Sequence, residues 1–206
     1  MEIIKDPKLI ESTSMDIIDQ LLPELKTLPV AESKIIKRVV HTAGDPDYAK
    51  LVRISPGAIE GGIQAIKGGK TIICDVNMLK AGINKNKVHE FGGRVECYIS
   101  DEDVAAEAKK SGLTRAIIAL RKALPQLQGG IVAIGNAPTA LFELCDLITH
   151  QGLKPALVVG TPVGFVGARE SKELLQEMDI PYITVVGNKG GSTIAASICN
   201  ALLYMA

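Results

Sequence analysis

The sequence has little of several residue types, and each shortage excludes a class of structure or chemistry. Its 206 residues include no tryptophan, three phenylalanines, four tyrosines and three histidines. The hydrophobic core must therefore be aliphatic, and a flavin-stacking site is disfavoured. The 23 basic and 23 acidic side chains cancel. Nucleic-acid binding through a broad basic face is therefore not expected, although a local basic pocket for a small anion remains open.

Cysteine usage and apolar runs indicate where the protein works. No apolar run approaches the roughly 20 residues that a membrane span needs, and charges from Glu2 to Lys8 interrupt any N-terminal signal pattern. We therefore expect a soluble, cytoplasmic protein that does not bind membranes. The four cysteines form no CxxC pair and lie in separate apolar runs, which predicts small buried hydrophobes in a reducing compartment: Cys74, Cys97, Cys145 and Cys199.

Local patterns predict one α/β domain over residues 1–206, with a mainly helical part (1–70) followed by a sheet core (71–206). Helical spacing in "PKLIESTSMDIIDQLLPEL" predicts a first helix, a second spans about Ala31 to Val40, and a third follows Pro56. A long helical stretch is expected from Asp101 to Leu127. The predicted strands are "TIICDV", "RVECYI", "GIVAIG", "ALVVG" and "YITVVG".

Five such strands alternating with helices predict a doubly wound, flavodoxin-like parallel sheet of order 2-1-3-4-5. Helices would cover both faces, with an N-terminal helical extension. Right-handed crossovers bring the carboxyl ends of the strands to one edge, where Val76, Gly135, Gly160 and Gly187 would lie. The following loops lead into helix N-termini, so we expect this edge to bind an anionic ligand. Glycine serving turn geometry alone is the structural alternative.

Most catalytic and cofactor motifs are absent. The sequence contains no GxxxxGK[ST] loop and no GxSxG elbow, and "GTPVGFVGARES" is not a GxGxxG fingerprint. The histidines His41, His89 and His150 are far apart, so no metal site and no cofactor are expected. His89 and His150 are interpreted as structural.

His41 is the strongest catalytic candidate. It directly follows the apolar run ending at Val40 and precedes a turn through Gly44, Asp45 and Pro46. Imidazole titrates near neutrality, so His41 can supply one proton. A hydrogen-bonded core histidine is the alternative. Asp45 either orients His41 or caps the turn, and the sequence does not separate these roles.

Six blocks, in order and over nearly the whole chain, resemble the precorrin-8X methylmutase family, also called cobalt-precorrin-8 methylmutase. They are "VVHTAGDPDYAKL", "ISPGAIEGGIQAI", "TIICDVNMLKAGI", "IVAIGNAPTALFEL", "VVGTPVGFVGARESKELL" and "GNKGGSTIAASICNALL". Family members often carry Arg where Asn188 stands and Ser where Ala116 stands, which concerns peripheral contacts more than the reaction.

The resemblance implies an isomerase that moves a methyl group between adjacent carbons of ring C in a corrin precursor. The shift is formally 1,5-sigmatropic and gives hydrogenobyrinic acid or its cobalt counterpart, cobyrinic acid. His41 matches the catalytic histidine of the family, proposed to protonate or hydrogen-bond the ring C nitrogen region. The resemblance also implies a homodimer with the corrinoid substrate at or near the subunit interface.

The substrate carries many carboxylates, and the candidate binding residues are those able to receive them or placed near the ligand by the resemblance. They are Ser14, Arg115, Gly135, Asn136, Gly160, Thr161, Lys189, Gly190 and Ser192. Alternatives stay open: Arg115 as a solvated helix residue, Lys189 as a loop cation and Ser192 as a helix cap. For the whole chain, a non-catalytic corrinoid carrier is the main alternative, and a flavin or nucleotide protein is a third.

Overall fold

The computed structural model describes residues 4–206, so Glu2 of the charged N-terminal stretch lies outside the described residues. The strands are β1 (Val52–Ile54), β2 (Ile72–Cys74), β3 (Val95–Glu96), β4 (Ile131–Ile134), β5 (Leu157–Gly160) and β6 (Tyr182–Val185). The α-helices are α1 (Pro7–Leu21), α2 (Val30–Ala43), α3 (Tyr48–Leu51), α4 (Ala58–Lys67), α5 (Asn77–Gly82), α6 (Lys85–Glu90), α7 (Glu102–Ser111), α8 (Arg115–Lys122), α9 (Leu124–Leu127), α10 (Pro138–Gln151), α11 (Ala168–Gln176) and α12 (Ser192–Met205). A 3₁₀ turn, Pro23–Thr27, joins α1 to α2. Within 4–206, no helix has the length and apolar character to cross a bilayer.

The strands form one six-stranded sheet of order β1-β6-β5-β4-β2-β3. The predicted α/β class is confirmed, but the expectation of five strands, all parallel, is wrong in one respect. Strand β1 pairs antiparallel with β6, with Val52 opposite Val185, whereas the other neighbours are parallel. Three residues are too few for a period-2 pattern to reveal a strand, and β1 lies in the part of the chain expected to be mainly helical.

Helices cover both faces of the sheet because successive strand residues point to opposite sides. In β2, Ile72 and Cys74 face a core built with α2, α4, α5 and α12. Ile73 faces the opposite core, which α8, α10 and α11 complete. All four cysteines are buried and unpaired, as predicted.

The helical stretch expected from Asp101 to Leu127 is three helices rather than one. Gly112 adopts a left-handed conformation (φ 72°) and ends α7. The Thr114 side chain then accepts a hydrogen bond from the Ile117 amide (3.3 Å) and caps α8. The apolar periodicity continues across this break, so the pattern predicted helix correctly but concealed the boundary.

Helix α2 carries His41 and packs against α1 and α12. It extends beyond the predicted end at Val40, because Gly44 ends it in a left-handed conformation (φ 62°) with its amide bonded to the Val40 carbonyl (2.9 Å). His41 is therefore in the last turn of a helix rather than beyond it. Ile35 and Val39 are fully buried, which leaves His41 on the outer side of α2.

Two glycines at the carboxyl ends of β4 and β5 lie so close to other elements that a side chain there would require movement. A Cβ atom on Gly135 would lie 2.6 Å from the Ser192 Cα atom, at the start of α12. A Cβ atom on Gly160 would lie 2.6 Å from a terminal methyl group of Leu175. The first obstacle is backbone, whereas the second is the end of a flexible side chain. Glycine at position 135 therefore serves close helix–strand packing.

This difference predicts unequal costs for two glycine-to-alanine changes. We expect Gly135→Ala to lower the free energy of unfolding by about 2 kcal/mol, because α12 must move. Gly160→Ala should cost about half as much, because Leu175 can change its rotamer. Urea unfolding of both variants measures the difference, and equal costs would contradict the proposed backbone contact.

Candidate active site

The loops that follow β4, β5 and β6 meet at the carboxyl edge of the sheet. The Gly191 amide donates to the Thr161 carbonyl (2.8 Å), and the Thr161 hydroxyl donates to the Gly191 carbonyl (3.4 Å). A Cβ atom on Gly190 would lie 2.3 Å from that same Thr161 oxygen. The structure therefore brings together seven of the predicted binding residues: Gly135, Asn136, Gly160, Thr161, Lys189, Gly190 and Ser192.

At the turns after β4 and β5, amides expected to receive carboxylates of a ligand are already bonded within the protein. The buried Asp75 carboxylate accepts hydrogen bonds from the amides of Gly135 (3.1 Å), Asn136 (2.8 Å) and Ala137 (2.8 Å). The Thr161 amide donates to the Ile134 carbonyl (2.7 Å). The amides of Gly135, Asn136 and Thr161 are therefore not free donors for a ligand, which corrects the expected mode of binding at these two turns. Binding of a carboxylate by the amides of the third turn, 187–192, stays a prediction.

Asp75 is a residue that the sequence-based prediction missed. Burial raises the pKa of this carboxyl group, while the three amide donors act in the opposite direction. The sequence feature that could have indicated Asp75 is an acidic residue directly after the apolar strand "TIIC". A carboxylate at the carboxyl edge of one strand can satisfy the amides that begin the helix after the neighbouring strand.

Lys189 extends from the loop after β6 towards the turn after α2. Its Nζ atom lies 2.5 Å from Asp45 Oδ2 and 5.4 Å from the centre of the Tyr48 ring. The hydrogen bond raises the pKa of Lys189 and lowers the pKa of Asp45. Asp45 Oδ1 accepts from the Asp47 amide (2.9 Å), so Asp45 caps the turn rather than bonding His41.

Ser192 and Arg115 each begin a helix in different surroundings. Ser192 is the first residue of α12, with Gly191 in the cap position and no capping bond from a side chain, so the cap alternative is wrong. Arg115 is exposed at the start of α8, which packs on the sheet face opposite α2. Within one chain, Arg115 and His41 therefore lie on opposite sides of the sheet.

The His41 side chain is exposed at the surface of a cavity of about 520 Å³. The alternative of a histidine in the core is therefore wrong. Among the described residues, neither ring nitrogen has a hydrogen-bond partner within the protein. The other residues around this cavity come from α1, α2 and α12: Pro7, Ile10, Glu11, Arg38 and Tyr204.

Two neighbouring cavities also contain Arg38 and Tyr204, and we call the three together the Arg38 groove. One, of about 360 Å³, is otherwise lined by Thr42, Gly82, Thr193, Ala196, Ser197 and Asn200. The other, of about 340 Å³, is otherwise lined by Met15, Lys34, Lys37, Ala201 and Met205. Ser14 lies half-buried on α1, next to Met15 in the chain.

Arg38 is a second residue that the sequence-based prediction missed. It precedes His41 by three positions, so both side chains lie on the same side of α2. Its guanidinium donates to Glu11 on α1 (2.6 Å) and remains partly exposed to the groove. A guanidinium can bind a carboxylate through two parallel hydrogen bonds, so this position suits an acidic ligand.

Other reactive groups do not form a second site. Burial raises the pKa of Cys145 to about 11 and that of Cys199 to about 12, so both stay protonated at neutral pH. His150 contacts the Asp146 carboxylate (2.9 Å) on the surface of α10. Within residues 4–206, no three His, Cys, Asp or Glu side chains are grouped as metal ligands.

Comparison with known proteins identifies the family. The family model for precorrin-8X methylmutase matches residues 9–205. Cobalt-precorrin-8 methylmutase of Priestia megaterium is 45% identical over 202 residues, covering 97% of this chain and 88% of that protein. The same-named protein of Methanocaldococcus jannaschii is 50% identical over 175 residues, covering 85% of this chain and 80% of that protein.

A solved structure agrees with the sequence matches. The precorrin-8x methyl mutase from Thermus thermophilus superimposes with a TM-score of 0.88 at 38% identity, covering 96% of this chain and 95% of that chain. The α/β fold and these matches make the chain an isomerase that moves a methyl group within one molecule. It belongs to the precorrin-8X methylmutase family.

Proposed function

We propose that this enzyme of cobalamin biosynthesis moves a methyl group within ring C of precorrin-8 or cobalt-precorrin-8, with His41 as general acid. The family model and relatives named cobalt-precorrin-8 methylmutase support the isomerase role. The product would be hydrogenobyrinic acid or cobyrinic acid, respectively. The observation that carries the assignment of His41 is its imidazole ring, which faces the Arg38 groove and has no hydrogen-bond partner among residues 4–206.

The chemistry requires little from the protein beyond a proton and a fixed geometry. A methyl shift within one molecule needs no second substrate, and substrate and product contain the same atoms. A proton donated near ring C can favour the tautomer from which the methyl group migrates. General acid catalysis contributes about 10²–10⁴-fold, and the rest would come from holding the macrocycle in one orientation.

The carboxylates of the substrate would be bound by side chains, and by amides of the loop 187–192, rather than by the amides of Gly135, Asn136 and Thr161. Arg38 supplies positive charge in the cavity that contains His41, and Lys34 supplies it further along the Arg38 groove, whereas Lys37 in the same wall is paired with Asp19. Ser14 and Lys189 are proposed as further polar contacts. Gly135, Asn136, Gly160, Thr161, Gly190 and Ser192 would shape the site by fixing its loops.

We also propose that the enzyme works as a homodimer, in which a second copy covers the Arg38 groove. Exposed apolar side chains would supply the contact: Ile10, which lines the groove, is 45% accessible and Ile17 is 50% accessible on α1, and Phe165 is 92% accessible in the loop after β5. Burying such groups favours association. Arg115, distant from His41 within one chain, would then reach the groove of the other copy.

We also propose that strands β2 to β6 and their helices form a doubly wound, flavodoxin-like unit. Strands β2 to β6, counted one to five, occur in the neighbour order 2-1-3-4-5. This order supports a doubly wound, flavodoxin-like unit to which β1 adds an antiparallel edge. In such a unit, ligands bind beyond the carboxyl ends of the strands, which is where the turn following α2 lies.

His41→Ala tests the catalytic assignment. We expect turnover to fall at least about 10²-fold because the proton donor is lost, while product binding changes less than about tenfold because the cationic groups remain. The absorbance change from substrate to product measures turnover, and a product titration measures binding. His89→Ala, an exposed histidine on α6, is the matched control. Unchanged turnover in His41→Ala would contradict the mechanism, and a wild type that binds product without turnover would favour the carrier.

Arg38→Met tests the proposed binding of carboxylate. We expect the Kd for product to rise at least about tenfold, because a hydrogen-bonded ion pair with the ligand is lost. Glu11→Gln is the control, since it weakens the tie between α1 and α2 but keeps the guanidinium. Arg121→Met is a second control, because it removes another Arg–Glu pair, with Glu143, on the opposite face of the sheet. Equal effects from Arg38→Met and Glu11→Gln would mean that Arg38 acts only through the helix contact.

Mixing two inactive variants tests the shared site. If Arg115 acts across the dimer, His41→Ala and Arg115→Ala are each inactive. When the two variants are mixed, half of the dimers formed at random contain one chain of each variant, and one of the two sites in such a dimer is intact. Co-refolded equal amounts should then regain about one quarter of wild-type turnover. Sedimentation of the wild type should give twice the 21.9 kDa chain mass. A monomer, or no recovery on mixing, would contradict the shared site.

A further inference from the structure

Lys172 on α11 is a fully buried lysine that the proposed reaction does not use. Its side chain is 0% exposed, whereas lysine is almost never buried without a partner. Within residues 4–206, no carboxylate forms an ion pair with it. Its Nζ atom donates to the backbone carbonyl of Lys189 (2.7 Å). Burial lowers the pKa of Lys172 to about 8, so the site holds an amine at a considerable cost in desolvation.

The hydrogen bond from Lys172 supports the loop 187–191 from its inner side. This loop is also bonded to the segment after β5: Gly164 donates to the Asn188 carbonyl (3.1 Å), and Gly191 donates to the Thr161 carbonyl (2.8 Å). Lys172 supplies a third attachment, between the other two. An apolar side chain at position 172 would fill the same space without the desolvation cost but would leave the Lys189 carbonyl without this donor.

Lys189 connects the buried amine to the end of α2. Its carbonyl accepts from Lys172 inside the protein, while its own amine forms the ion pair with Asp45 outside. Asp45 directly follows Gly44, the residue that ends α2, and His41 lies in the last turn of that helix. A continuous set of bonded groups therefore joins α11 to the helical turn that carries the proton donor.

We propose that Lys172 is a positioning residue: by fixing the Lys189 carbonyl it aims the Lys189 side chain at Asp45 and thereby holds the turn after α2 and His41 in place. The inference rests on the proposed role of His41 for its catalytic part. Its structural part, the link from α11 to the loop and the turn, stands independently of the reaction.

Lys172→Met tests the structural part because methionine keeps the volume but removes the donor. We expect the amides of residues 187–192 to exchange with deuterium at least tenfold faster in the native state. Ser171→Ala is the matched control: Ser171 is equally buried on α11, but its hydroxyl bonds within the helix, to the Ala168 carbonyl (3.1 Å). Exchange at 187–192 that is no faster than in Ser171→Ala would overturn the inference, whatever the activity.

A double-mutant cycle tests the catalytic part, and its Asp45→Asn single variant remains informative if Lys172→Met is unstable. Asp45→Asn, at the surface, removes the charge that holds Lys189 at the outer end of the path and should lower kcat at least threefold, with a smaller change in KM. Combined with Lys172→Met, it should add less than half of its own effect. Full additivity, or an unchanged kcat in Asp45→Asn, would overturn the positioning role. Turnover by His41→Ala would instead refute the proposed function and leave the exchange result standing.

Discussion

The structure depends on how the amides at the carboxyl ends of the parallel strands are satisfied. Buried N–H groups without acceptors are costly, and the start of α12 lies too close to Gly135 to leave room for a side chain there. Asp75 satisfies this turn by accepting three amide hydrogen bonds. The turn after β4 is consequently part of the scaffold that fixes the loops, and in the proposed function side chains beside it recognise the ligand.

Those side chains are presented by α2. Its buried residues Ile35 and Val39 fix the rotation of the helix about its axis, so Arg38 and His41 must face outward. Gly44 ends the helix, and the Lys189–Asp45 pair ties that end to the loop after β6. The orientation of one imidazole thus follows from aliphatic packing on one side of α2 and from a bonded turn at its end.

The Arg38 groove is open in a single chain, which agrees with a site that a second copy completes. A proton donor that faces bulk water would share its proton with solvent, whereas a covered groove strengthens the electrostatic contacts within it. The exposed apolar residues Ile10 and Ile17 of α1 are available for such a cover. The proposed dimer would therefore reconcile the exposure of His41 in one chain with catalysis in an enclosed site.

The sequence by itself determined the α/β class, the succession of β-branched strands and helices from Thr71 onward, and the family, because these depend on local periodicity and on motifs. It also singled out His41, the histidine that precedes the turn through Gly44, Asp45 and Pro46. Tertiary structure decided the features that depend on contacts between residues distant in sequence. Strand β1 exists because β6 offers it an edge, and the helices over 102–127 separate where Gly112 turns. The amides of Gly135 and Asn136 are occupied because Asp75, 60 positions before Gly135 in the chain, is adjacent in the sheet. Arg38 joins the site because α1 and α12 pack beside α2, and Lys172 is buried because α11 covers the loop 187–191. Each of these depends on partners distant in sequence, and their positions are fixed only when the two cores are packed.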